Sequence, residues 1–180
     1  MNDNNAYNPL YGRDTIEFVT VAVEFCAFIE HAEANEPQHF TGKAVKILPL
    51  LYLKATMLPD IDVFYDELPP MAVTEDDYNA VCSRLAALLG TKDSFLDTFV
   101  EDMKYSDTPI ASHISECLAD VYQDIANFIA FYRTGTESIM QQGLALCSNN
   151  FRHYWGQQLL NALKALHSVH FSDDNEDEEV

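Results

Sequence analysis

Apolar positions recur at intervals of three and four along most of the chain. The pattern is clearest from Asn150 to Phe171. There Phe151, Trp155, Leu159, Ala162, Leu166 and Val169 fall on one arc of a helical wheel, while His153, Gln157, Asn161, Lys164 and Ser168 fall on the opposite arc. Such an arc is the mark of an amphipathic helix with one dry face. Gly156 sits on the flank of that face, next to the only tryptophan. Glycine inside a helix costs about 0.5–1 kcal/mol relative to alanine, so its presence predicts close approach of another backbone at a helix crossing.

The same periodicity predicts further helices. The first opens at Asp14, with Glu17 three residues on in a capping-box pattern, and ends at 35–38 around Pro37. Phe18, Val21, Ala22, Phe25, Cys26, Phe28, Ile29 and Ala32 form its broad apolar arc, while Glu17, Glu24 and His31 repeat every seven on the other side. A second helix is expected over Thr41 to Leu58. Its ILPLLYL run is apolar on all sides, which predicts a central, mostly buried helix with a kink or restart at Pro49. Lys54 follows directly on this run; it either reaches solvent on its long stem or, as the hypothesis taken forward, pairs with an acid on another helix.

Residues 59–73 mix acids, aromatics and Pro69-Pro70 and read as a solvated acidic connection. Asp60, Asp62, Asp66 and Glu67 lack the glycine and spacing of a calcium loop. Thr74 then caps a third helix, with Asp77 at its third position and Gly90 at its end. Residues 91–111 admit a short helix over DSFLDTFVEDM followed by a loop. A fourth helix opens at Ser112 and stops at Gly135. A fifth begins at Thr136 and runs into the stretch described first, with Gly143 or 148–150 as places for a break.

Length and composition support one all-α domain, an irregular bundle of about five long helices over residues 14–171. Residues 1–13 are expected to be loose, with Tyr7, Leu10 and Tyr11 able to dock, and residues 172–180 are expected to form a disordered acidic tail. The net charge is −19, and six of the acids lie in that tail. No cluster of Lys and Arg suits a phosphate backbone or an anionic membrane surface, so neither nucleic acid nor membrane is an expected partner. Cys26, Cys82, Cys117 and Cys147 are widely spaced, without a CxxC pair, and read as reduced, buried thiols of a cytoplasmic protein. The N-terminal stretch has no apolar signal core, and no run approaches a membrane span.

Two polar edges are the candidate ligand or metal residues. On the fourth helix, Asp120 and Asp124 lie one turn apart, on a stripe with His113 and Cys117. On the last helix stand His153 and, on its flank, His167. If the edges faced each other, two carboxylates and a histidine would suit a divalent metal. Both edges fall in polar arcs, which ordinarily face water. There is no HExxH, no pair of ExxH motifs, no Gly-rich phosphate loop and no GxSxG. No catalytic residue and no cofactor are therefore assigned.

Four phrases occur together in order: LPLLYLKATMLP (48–59), LLGTKD (88–93), CLADVYQDI (117–125) and HYWGQQLLNALKALH (153–167). In this order they resemble an uncharacterised bacterial family, domain of unknown function 5063. The resemblance covers most of residues 15–170 and implies a small, acidic, all-helical domain with no established activity. Leu118, Ala119, Asp120, Tyr122 and Asp124 match its LADxYxD phrase, and Trp155, Gly156, Ala162, Leu163, Leu166 and His167 match its WG…ALxALH phrase. In the family pattern one histidine directly precedes Trp-Gly and another follows two residues after it. Here Tyr154 and Gln158 stand at those places, with His153 one earlier, so no histidine metal site carries over. Trp155 and Gly156 are assigned to packing. The expectation is a non-catalytic protein acting through protein–protein contact. A metal- or ligand-binding bundle is the first alternative, and an acidic nucleic-acid mimic is the second.

Overall fold

The computed structural model describes residues 8–33, 36–61, 70–97 and 110–172. Helix α1 is Arg13–Glu30, α2 Pro37–Thr56, α3 Glu75–Leu89, α4 Ile114–Arg133, α5 Glu137–Asn150 and α6 Gly156–Ser172. The last two are joined through a π turn, Phe151–Trp155, into one continuous rod. Among the described residues the architecture is therefore an all-α bundle of five rods, plus one two-stranded antiparallel ladder.

Thr74 accepts from the Asp77 backbone N–H while the Asp77 side chain accepts from the Thr74 backbone, completing a capping box at α3. Gly90 (φ +56°) and Gly135 (φ +69°) terminate α3 and α4 in left-handed conformations that glycine adopts without penalty.

Other boundaries depart from the periodicity. Helix α1 starts after Gly12, and Asp14 lies within its first turn rather than capping it. Pro37 does not end α1; it opens α2 at the first helical position, where its missing N–H costs nothing. Helix α2 passes through Pro49 without a break, and the proline sits on the exposed side. The rod from α5 into α6 breaks neither at Gly143 nor at 148–150.

The expected short helix after residue 91 is replaced, in its described part, by strand β1, Ser94–Asp97. It pairs antiparallel with β2, Ile110–His113, so α4 begins at Ile114 and not at Ser112. Asp93 is the local organiser. Its backbone carbonyl accepts from Ile114 N at 2.8 Å, and its buried carboxylate accepts from Ser115 N at 2.8 Å and Ser115 Oγ at 2.7 Å, capping α4 from outside the helix.

Helix α4 is the hub, packed against α1, α3, α5 and α6, while α2 packs on α1 and α6. The core includes the fully buried Phe18, Phe25, Phe128, Leu118 and Trp155. Leu10, in the turn Pro9–Tyr11, is fully buried as well, so residues 8–12 form part of the domain. Tyr11 stays exposed. The expectations for residues 1–7, for Asp62 to Glu67 and for residues 173–180 lie outside the described residues.

Cys26, Cys117 and Cys147 are buried and Cys82 is half-buried, all four as free thiols. Among the described residues no helix is long and apolar enough to cross a membrane.

Candidate functional site

Asp120 stands on the side of α4 that faces α3 and the π turn. Tyr78 of α3 donates its hydroxyl to Asp120 Oδ1 at 2.9 Å, and Tyr154 of the π turn donates to Oδ2 at 2.7 Å. One carboxylate thus ties three helical segments together. Burial pushes both phenols above their ordinary range, and the hydrogen bond to the charged Asp120 raises them further.

One turn on, Asp124 accepts from Asn150 Nδ2 at 2.6 Å. Burial pushes its carboxyl up. The Asn150 hydrogen bond opposes that shift, and the like charge of Asp120 adds to it. His153 is exposed and donates Nδ1–H to the Asn149 carbonyl at 2.8 Å. His167 is exposed too, its ring centroid 4.6 Å from that of Phe171.

The four candidate residues do not converge on one point. Among the described residues no group of three or more His, Cys, Asp or Glu is placed to hold a metal ion. The two aspartates instead hold helices together through neutral donors, a role the bare spacing of charged residues did not reveal.

Trp155 is fully buried, with Nε1–H donating to the Cys147 carbonyl at 3.0 Å. Gly156 has a different reason from the expected helix crossing. A Cβ there would lie 2.4 Å from the Phe151 carbonyl oxygen and 2.9 Å from its ring. The extra residue of the π turn folds its own backbone back onto this position. The helix crossing falls at Gly143, where a Cβ would sit 2.7 Å from Phe131 Cβ of α4.

The feature least expected lies on the other side of the molecule. Helix α2 turns Ala44, Leu48, Leu51 and Ala55 into the core. Its outer face carries Lys43, Lys46, Leu50, Leu53 and Met57 at spacings of three and four. Leu50, Leu53 and Met57 are 43%, 52% and 42% exposed, and Ile16 of α1 is 49% exposed. The ILPLLYL run is thus not a central, buried segment: it covers a core on one side and presents a second apolar stripe to water on the other.

A cleft of about 680 Å³ continues this face between α1 and α2. It is lined by Ala27, Phe28, Ile47 and Leu50, with Glu24, Lys43 and Lys46 along its rim. Two contacts set the helix pair in place. Lys54 Nζ lies 2.5 Å from Glu17 Oε2, the interhelical pair expected for that lysine, and Phe28 stacks on Phe40 with centroids 4.7 Å apart. The signal for the outer stripe was in the sequence, as a heptad-like spacing of 43, 46, 50, 53 and 57.

The profile of the domain of unknown function DUF5063 matches residues 10–172. The chain belongs to this family. A DUF5063-like fold is also seen in the crystal structure of protein BF1032 from Bacteroides fragilis. That protein is similar with 42% sequence identity and a TM-score of 0.81, over 92% of this chain and 97% of the other. No curated protein matches the chain. Membership in DUF5063, a domain of unknown function, brings no assigned activity.

Proposed function

We propose that the protein is a non-catalytic, cytoplasmic protein that acts through contact with another protein surface, and that the outer face of α1 and α2 is the contact. The observation that carries this reading is the exposure of Leu50, Leu53 and Met57 on one stripe of a helix whose opposite stripe is already buried. A helix apolar on both sides is stable in water when both sides are covered.

The candidate chemical groups point the same way. Asp120 and Asp124 are engaged by Tyr78, Tyr154 and Asn150. Burial pushes the Cys26 thiol up to about 12, with Glu30 adding to it, and burial raises Cys147 as well, so neither supplies a thiolate nucleophile near neutrality. Four free thiols suit a reducing compartment.

The test is a photo-crosslinking residue placed at Leu53 in the living cell, with exposed Gln157 on α6 as the control position. A discrete protein adduct from Leu53 and none from Gln157 is the expected result. Adducts from neither position, or equal labelling from both, overturn the reading.

A further inference from the structure

The outer faces of α1 and α2 are matched level by level. The helices run antiparallel, and the Lys54–Glu17 and Phe28–Phe40 contacts fix their register. At about 1.5 Å of rise per residue, that register sets Ile16 level with Leu53, Thr20 level with Leu50, and Glu24 level with Lys46. The face therefore changes character along its length: apolar at one end, charged toward the other, with opposite signs on the two helices at the charged level.

We infer that the occupant of this face is a second copy of the same chain, related by a twofold axis running along the helix pair. The inference rests on the contact reading above and names its partner. Such an axis exchanges α1 and α2 but preserves level. Ile16 of one copy then meets Leu53 of the other, Leu50 meets Thr20, and Glu24 meets Lys46. Ile16 and Leu53 then meet as apolar groups, Leu50 covers the Thr20 side chain, and Glu24 meets the opposite charge of Lys46. A face that complements itself in this way is what a twofold dimer requires. The product is an antiparallel four-helix arrangement of two α1–α2 pairs.

Charge selects a second copy over another partner. The chain carries −19 in all, yet residues 13–57 hold four bases against six acids. The remaining residues carry nearly all of the excess negative charge. Two copies repel least when they approach through α1 and α2. A basic protein, by contrast, would be drawn to the acidic remainder of the surface and not to this nearly neutral face.

The experiment is sedimentation equilibrium of the full chain at physiological salt. The expected mass is twice the 20.4 kDa of one chain. Leu50→Glu/Leu53→Glu is expected to halve that mass while leaving the far-ultraviolet circular dichroism spectrum in place, because both side chains are exposed in the single chain. Glu24→Lys and Lys46→Glu should each weaken the dimer by about tenfold or more through like-charge contact. The double variant Glu24→Lys/Lys46→Glu should restore it, because the exchanged pair meets again across the axis.

A wild-type chain that stays at 20.4 kDa, a dimer indifferent to these substitutions, or charge exchanges that add without rescue would each overturn the inference. Failure here is separable from failure of the contact reading. A monomer whose Leu53 crosslinks to a different protein leaves that reading standing and removes the second copy. A monomer with no adduct removes both.

Discussion

Lys54 of α2 and Glu17 of α1 form an interhelical ion pair, Nζ to Oε2 at 2.5 Å, with Arg13 holding the other carboxylate oxygen at 2.7 Å. The hydrogen bond from Lys54, followed by that from Arg13, lowers the Glu17 carboxyl from 4.5 to about 2. Its folded value lies below its unfolded one. Its contribution to stability is therefore present above pH 4.5 and is lost as the pH falls toward 2. Lys54→Met is expected to lower the urea midpoint at neutral pH and to flatten the acid limb of the wild-type stability curve. A variant with an unchanged midpoint and an unchanged acid limb would show that the pair contributes nothing.

Asp120 makes a second testable knot. Tyr78→Phe and Tyr154→Phe each delete one hydrogen bond to its carboxylate, worth about 0.5–1.5 kcal/mol, with half-exposed Tyr154 at the lower end. Both phenols have folded pKa values above the ordinary 10, so this stability is present below pH 10 and declines as the pH climbs through the raised values. Asp120→Asn removes the anionic acceptor but not the burial. Nuclear magnetic resonance of ring-labelled tyrosines should then show Tyr78 and Tyr154 titrating at lower pH than in the wild type, yet still above 10. Titration unmoved by Asp120→Asn would mean that burial alone shifts them.

Asp124 carries the opposite sign to Glu17. Its carboxyl is raised from 3.8, chiefly by burial, so keeping it ionised costs stability that returns on protonation. Asp124→Asn retains an acceptor for Asn150 and removes the buried charge. Thermal melts should show the variant more stable than wild type at neutral pH, with the gain vanishing below pH 3.8. A lower melting temperature at neutral pH would contradict this assignment.

Two glycines separate steric from conformational cost. Gly156→Ala drives a Cβ against the Phe151 carbonyl inside the π turn and should cost about 1–3 kcal/mol through overpacking. Gly135→Ala meets no atom within 4 Å but keeps a φ of +69°, so its cost is backbone strain of about 1 kcal/mol. Denaturant titrations followed by Trp155 fluorescence should rank them in that order. Equal effects would show that the π turn relaxes around the new methyl group.

Periodicity was a good guide wherever one apolar arc met one core. Phe18, Phe25, Leu118, Ile125 and Trp155 all lie inside as their spacing implied. The Thr74–Asp77 box and the Gly90 and Gly135 stops were legible because each is a local backbone event. The β1–β2 ladder was not, because strand pairing between 94–97 and 110–113 is a non-local contact that a short mixed-polarity run does not announce. Helix α2 misled for a related reason. Apolar residues on two faces read as burial on two faces, whereas in the single chain the second face stands exposed. Of the candidate site, Asp120 and Asp124 lie one turn apart on α4, and their partners Tyr78, Tyr154 and Asn150 come from other segments. Folding had to supply them.

The ladder has one practical corollary. Asp97 stands directly across from Ile110, and the Asp93 carboxylate anchors the first turn of α4. The entry and exit of the intervening stretch are therefore neighbours clamped from below. A reporter peptide spliced between 97 and 110 would enter and leave the domain at two adjacent strand ends.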